Sequence, residues 1–254
     1  MNTDADSEFS NNVFENFMGL FFQPEITRRK IVGTITEPFS LLAAQVIFFP
    51  DGRQPEVRLN EEVSAEIKLK EGIDYDQKDF WPNLDDVKSL KLNEGRFEDC
   101  GHATLVLLKD GYQLTFDFVY NKAVSTNHLK VAKEFLKTAK YALENNLSTS
   151  FIDNSFSAVE LLAKTNLLLE TNSVVQGKTN HKAIKVEFNK RQKNAANEFD
   201  ASVKDVFNQL SDYRGKVRYL NAEVDLDTFD NNKIYNILEK LYNDLMRRIG
   251  LADN

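Results

Sequence analysis

Two hydrophobic periods divide the chain near Lys122. Before it, apolar residues mostly alternate with polar ones, the period of a half-buried antiparallel strand. Lys30–Thr36 (KIVGTIT), Val63–Leu69 (VSAEIKL) and Val87–Leu92 (VKSLKL) carry that alternation. The apolar run Leu41–Phe49 predicts a buried strand, followed by a turn at Pro50-Asp51-Gly52. His102–Tyr120 predicts a hairpin, with Asp110-Gly111 as its two-residue type I′ turn. Phe9–Phe22 predicts a short aromatic helix laid against the sheet. Residues 1–122 therefore predict an antiparallel β domain of about six or seven strands joined by ordinary turns.

After Lys122 the period becomes 3.6. Ser125, Thr126 or Asn127 is expected to cap a helix with the stripe Leu129, Ala132, Leu136, Ala139 and Leu143, broken by Asn145-Asn146. A second helix, about Ser150–Leu169, is apolar around much of its circumference, which places it centrally in a bundle. A third begins near Asn180 and carries Ile184 and Phe188. The fourth has the most regular stripe: Phe199, Val203, Val206, Leu210, Tyr213 and Val217. The last starts at Asp230, an N-cap, and packs through Ile234, Leu238, Leu241, Leu245 and Ile249 before Gly250 ends it. The predicted class is α+β: an antiparallel β domain over residues 1–122, then a bundle of five helices over 123–254.

Composition adds boundaries. With 42% hydrophobic and 28% charged residues over 254 positions, the chain has the make-up of an ordinary soluble protein of one large or two modest domains. A single cysteine, Cys100, excludes an intrachain disulfide and any cysteine-based zinc site. The acidic start MNTDADSE is unlike a signal peptide, and Leu41–Phe49 is half the length a bilayer span needs. A cytoplasmic protein without a membrane partner is expected. Charge is split: residues 1–122 hold 13 basic and 22 acidic side chains, and the remainder 19 and 17. In the second half, Lys178, Lys182, Lys185, Lys190, Arg191 and Lys193 face only Glu187. A further basic group, Arg214, Lys216 and Arg218, closes the fourth helix.

Most candidate motifs fail on spacing. Gln176-Gly177-Lys178-Thr179 lacks the earlier glycine of a phosphate-binding loop, since Asn172 stands there, and it follows a helix rather than a strand. Asp225, Asp227 and Asp230 lack the glycine and glutamate of a calcium loop and suit the start of the last helix better. His102, His128 and His181 complete no metal-ligand spacing, so neither metal nor cofactor is expected. No nucleophile elbow or dinucleotide loop occurs. What remains is Tyr213-Arg214-Gly215-Lys216-Val217-Arg218-Tyr219-Leu220. There Arg214 follows a stripe residue, and a glycine interrupts the helix at a cost of about 1 kcal/mol.

With AKEFLKTAKYALE, NSFSAVELLAKTNLLL and TNHKAIKVEFNK, the segment LSDYRGKVRYL makes Ser125–Gly250 resemble the HEPN (higher eukaryotes and prokaryotes nucleotide-binding) family. The family motif is an arginine followed, four to six residues later, by a histidine. Arg214 stands at the arginine, Gly215 replaces the usual polar residue, and Tyr219 occupies the place of the histidine. The resemblance implies a metal-independent RNase scaffold, in which arginine and histidine of two protomers converge at a dimer interface. Many members act in defence or beside an antitoxin, and others only bind or dimerise. It therefore implies a degenerate catalytic pair, Arg214 and Tyr219.

Arg218 lies four residues from Arg214 on the same face, so the two suit one phosphate. Tyr219 sits about 140° around the helix from Arg214, which disfavours an intramolecular dyad. Lys216, Lys182, Lys185, Lys190, Arg191 and His181 form the expected RNA-binding surface. The expected function is RNA binding with a weak or inactive RNase site. The alternative is a protein-interaction module whose helical half only dimerises and whose β domain holds a partner. Phe151, Phe156 and Leu167–Leu169 suggest more apolar surface than a small bundle buries, hence a homodimer.

Overall fold

The computed structural model describes residues 3–74, 80–92, 95–170, 181–192, 198–219 and 230–251. The chain divides into two compact units, Met1–Phe118 and Val119–Asn254.

The first unit opens with a longer helix than the aromatic pattern predicts. α1 (Thr3–Phe17) runs through one π-helical turn, Met18–Phe22, into α2 (Gln23–Ile31). The expected strand Lys30–Thr36 does not form. Lys30 and Ile31 are the last residues of α2, and Gly33 at φ +75° closes it. The Gly33 N–H bonds Lys30 O at 3.2 Å, and the Thr34 N–H bonds Arg29 O at 3.0 Å, the paired bonds of a Schellman end. Two apolar residues ahead of a glycine mimic strand alternation, yet Ile31 and Val32 are exposed.

The strands are β1 (Ala43–Phe48), β2 (Glu56–Leu59), β3 (Ala65–Leu69), β4 (Val87–Leu92), β5 (Gly101–Leu108) and β6 (Gly111–Asp117). β2-β1-β5-β6 make an antiparallel sheet, and β3-β4 a separate antiparallel pair. On one face, Phe22 and Ile26 meet Ala44, Val46, Leu59, Ala103 and Leu105. A second cluster gathers Ile47, Phe49, Phe97 and Cys100. Leu108 pairs with Gly111, so the hairpin loop is Lys109-Asp110, one residue earlier than predicted. The Pro82–Leu84 segment holds it there: Pro82 O accepts from the Lys109 N–H at 3.0 Å, and Asp110 Oδ1 accepts from the Leu84 N–H at 2.9 Å.

The second unit contains α3 (Lys122–Glu144), α4 (Ser148–Leu168), α5 (His181–Gln192), α6 (Glu198–Tyr219) and α7 (Asn231–Arg248). α4 packs against the other four, as its apolar circumference predicts. The predicted stripes of α3, α6 and α7 all face one core. α3 starts earlier than expected. Asn121 precedes it at φ +53° and donates Nδ2 to Leu168 O at 2.7 Å, while Ser125 lies fully buried inside the helix. Asp230 caps α7 by accepting from the Lys233 N–H at 2.9 Å, and Gly250 at φ +74° ends it.

Gly215 does not break α6. The helix continues to Tyr219, because Val217 is buried on the same stripe and holds the register. The residues that motivated a dimer, Phe151, Phe156 and Leu167–Leu169, are buried within one chain, so that argument for pairing falls.

Candidate functional site

The site is built on α4, α5 and α6. On α4, Asp153, Phe156 and Glu160 are spaced i, i+3, i+7, which puts them in one row along the helix. Phe156 is 5% exposed and belongs to the core, which anchors the row. Arg214 on α6 lies over the Phe156 ring, its guanidinium carbon 4.4 Å from the centroid. Its Nε donates to Asp153 Oδ1 at 3.0 Å. Arg218, one turn on, brings Nη2 to 3.7 Å from Asp153 Oδ2. The two arginines expected to share a phosphate thus share one carboxylate.

His181, the first residue of α5, rests against the same aromatic ring, with centroids 6.4 Å apart and planes at 53°. Its Nδ1 is hydrogen-bonded to Glu160 Oε1. α5 is fixed to α6 by reciprocal amide bonds between Asn189 and Asn208, of 2.8 and 3.2 Å, and by Phe188 against Phe207. The short polar row on α4 therefore carries an arginine site at one end and a histidine site at the other.

The remaining basic residues are less uniform than their sequence suggests. Lys185 donates to Asp212 at 3.2 Å. Arg191 and Arg248 both pair with Glu170, and burial together with the Arg248 charge lowers the Arg191 pKa. Lys216 lies over the Tyr213 ring at 4.9 Å. Lys182 and Lys190 are exposed and have no ion-pair partner among the described residues. Tyr219 ends α6, but its side chain lies outside the described residues. So do Lys178, Lys193, Gln176–Thr179, and Asp225 with Asp227.

The other histidines sit elsewhere. His102 is buried on β5 with Nδ1 3.0 Å from Thr104 Oγ1. His128 lies in the second turn of α3, and burial, then the Lys164 charge, lowers its pKa. No cluster of three His, Cys, Asp or Glu suited to a metal occurs among the described residues, and no described helix is long and apolar enough to cross a membrane.

Sequence reasoning missed Asp153 and Glu160. Their signal was present: they are the acidic interruptions of the most apolar helix in the protein. A charge on a helix that is buried on most sides needs a partner, and here each has a cation-forming one.

Residues 126–249 match the family model of the HEPN domain. No curated protein and no solved structure matches the chain. The match spans the helices that carry Asp153, His181 and Arg214, and over it the C-terminal half of this chain is similar to the HEPN domain family.

Proposed function

We propose that the helical half binds RNA and carries a metal-independent RNase site of low activity, working as a homodimer in defence or toxin–antitoxin-like regulation. One observation carries the reading: Arg214 and Arg218 converge on a single oxyanion, the Asp153 carboxylate. Two guanidiniums spaced to share a carboxylate are also spaced to share a phosphate, whose oxygens accept the same forked donors. Low activity is expected of the motif position itself, where Tyr219 replaces the histidine. A phenol with a pKa near 10 is a poor base at neutral pH, and a base is typically worth about 10²–10⁴ in rate.

A second reading, a protein-interaction module, draws support from the ion pairs of Lys185, Arg191 and Arg214, which leave less free charge for a nucleic acid. Filter binding of single-stranded RNA across a salt series separates the two. The RNA reading expects log affinity to fall linearly with log salt, by about 0.7 per phosphate contacted. No binding at low salt favours the protein-interaction reading.

A further inference from the structure

The position that the family motif gives to histidine is Tyr219, yet an imidazole stands at the site from another helix. We infer that His181, oriented by Glu160, is the general base of this RNase site and acts together with Arg214, which shares the Phe156 ring with it. This rests on the RNA-cleaving reading above and names the residue that would carry the chemistry.

The geometry has three parts. First, Glu160 Oε1 meets His181 Nδ1, and a carboxylate at Nδ1 favours the tautomer that carries its proton there, which leaves Nε2 with the lone pair a base needs. Glu160 is largely buried while His181 is 68% exposed, so the carboxylate holds the ring from below and Nε2 stays accessible. Second, Arg214 uses its Nε on Asp153, one of the five donors of a guanidinium, and the rest of its fork has no hydrogen-bond partner among the described residues. Third, both groups are tied to one rigid element. Asp153 and Glu160 are seven residues apart on α4, about 10 Å along its axis. The Arg214 guanidinium carbon and the His181 ring lie 4.4 and 6.4 Å from the one Phe156 centroid, so they stand within about 11 Å of each other, a reach that a phosphate and its neighbouring 2′-hydroxyl can bridge.

The reaction balances without a metal or co-reactant. His181 Nε2 takes the proton of the 2′-hydroxyl on the ribose whose 3′ oxygen bears the phosphate. The 2′ oxygen attacks phosphorus, the bond from phosphorus to the 5′ oxygen breaks, and that oxygen leaves with the proton returned by the imidazolium. The products are a 2′,3′-cyclic phosphate and a 5′-hydroxyl. Arg214 holds the charge on the non-bridging oxygens through the transition state.

The test is cleavage of a labelled single-stranded RNA by excess full-length protein in EDTA, with end analysis, alongside filter binding. The expected result is slow cleavage leaving cyclic phosphate ends. His181→Asn should lower it at least about 100-fold with RNA affinity within about threefold of wild type. Glu160→Gln should lower it about tenfold or more and change the His181 tautomer seen in ¹⁵N imidazole spectra, a signature that mere destabilisation would not give. Thermal melts identify any variant that has lost its fold, and His181→Gln then replaces His181→Asn. Cleavage that His181→Asn leaves intact overturns the assignment. So does RNA binding with no cleavage, which leaves the RNA-binding reading standing. Absence of RNA binding overturns both together.

Discussion

Arg214 and Asp153 are held 3.0 Å apart, Nε to Oδ1, with the guanidinium lying on the Phe156 ring. The cation proposed to hold a phosphate is already engaged by an internal anion. Both side chains keep some solvent access, so the pair is an exchangeable contact rather than a sealed one. On the proposed reading, an incoming phosphate should compete with Asp153. Asp153→Asn should raise RNA affinity by about three- to tenfold and steepen the salt slope, because it frees two guanidiniums. Stability should fall by no more than about 1 kcal/mol, since a partly exposed ion pair is screened. Filter binding and thermal denaturation measure the two effects; unchanged affinity would show that Asp153 and RNA do not share a site.

Lys182 and Lys190, which have no ion-pair partner among the described residues, should matter more than the paired lysine of α5. Lys182→Glu with Lys190→Glu should flatten the salt slope by about 1.4, two phosphates at about 0.7 each. Lys185→Glu, whose native charge is already met by Asp212, should change it less. Equal effects at all three positions would mean that RNA binding breaks the Lys185–Asp212 pair.

Restoring the motif histidine would add a base beside the proposed His181. Tyr219→His should raise cleavage in EDTA, and Arg214→Ala in that background should abolish it. Cleavage that EDTA stops, or that survives loss of Arg214, places the chemistry elsewhere. Light scattering at micromolar concentration reads the associated assembly: a species of twice 29.1 kDa is expected, and a clean 29.1 kDa species removes the two-protomer cleft.

Gly215 is a helical position with open space around it. A Cβ built there meets nothing within 4 Å, and α6 runs through it. Gly215→Ala should stabilise the protein by about 0.5–1 kcal/mol through the unfolded chain's lost freedom. Gly250→Ala should do the opposite, because its φ of +74° strains any residue with a Cβ. Denaturant midpoints for the two variants give the signs.

Acid should weaken the first unit through Glu25. Its hydrogen bond from Arg28, with a second from Arg29, holds its pKa down to about 2, against an ordinary glutamate value of 4.5. A carboxylate depressed in the folded state contributes stability above the unfolded pKa and loses it as pH falls through the folded one. The loss should run from about pH 4.5 down to about 2, and Glu25→Gln should flatten it. Trp81, the single tryptophan, reports unfolding of that unit.

The helical half was legible because its elements are long and strongly periodic. The stripes Phe199–Val217 and Ile234–Ile249, the Asp230 cap and the Gly250 stop follow from side chains within one helix, where spacing alone decides which face is buried. Local patterns failed where a neighbouring element decided the outcome. Lys30–Thr36 alternates like a strand, but the helix already running through Gln23 carries on to Gly33. Asn121, rather than Ser125–Asn127, precedes α3 because its side chain reaches Leu168 O, 47 residues away. The same limit applies to the site. Arg214 and Arg218 were readable as a pair because four residues make one helical turn. Their partner Asp153 is 61 residues from Arg214, and Glu160 is 21 from His181. Only the packing of α5 and α6 against one face of α4 brings those carboxylates to the cations. Sequence determined which charges the chain carries, and the bundle decided which of them meet.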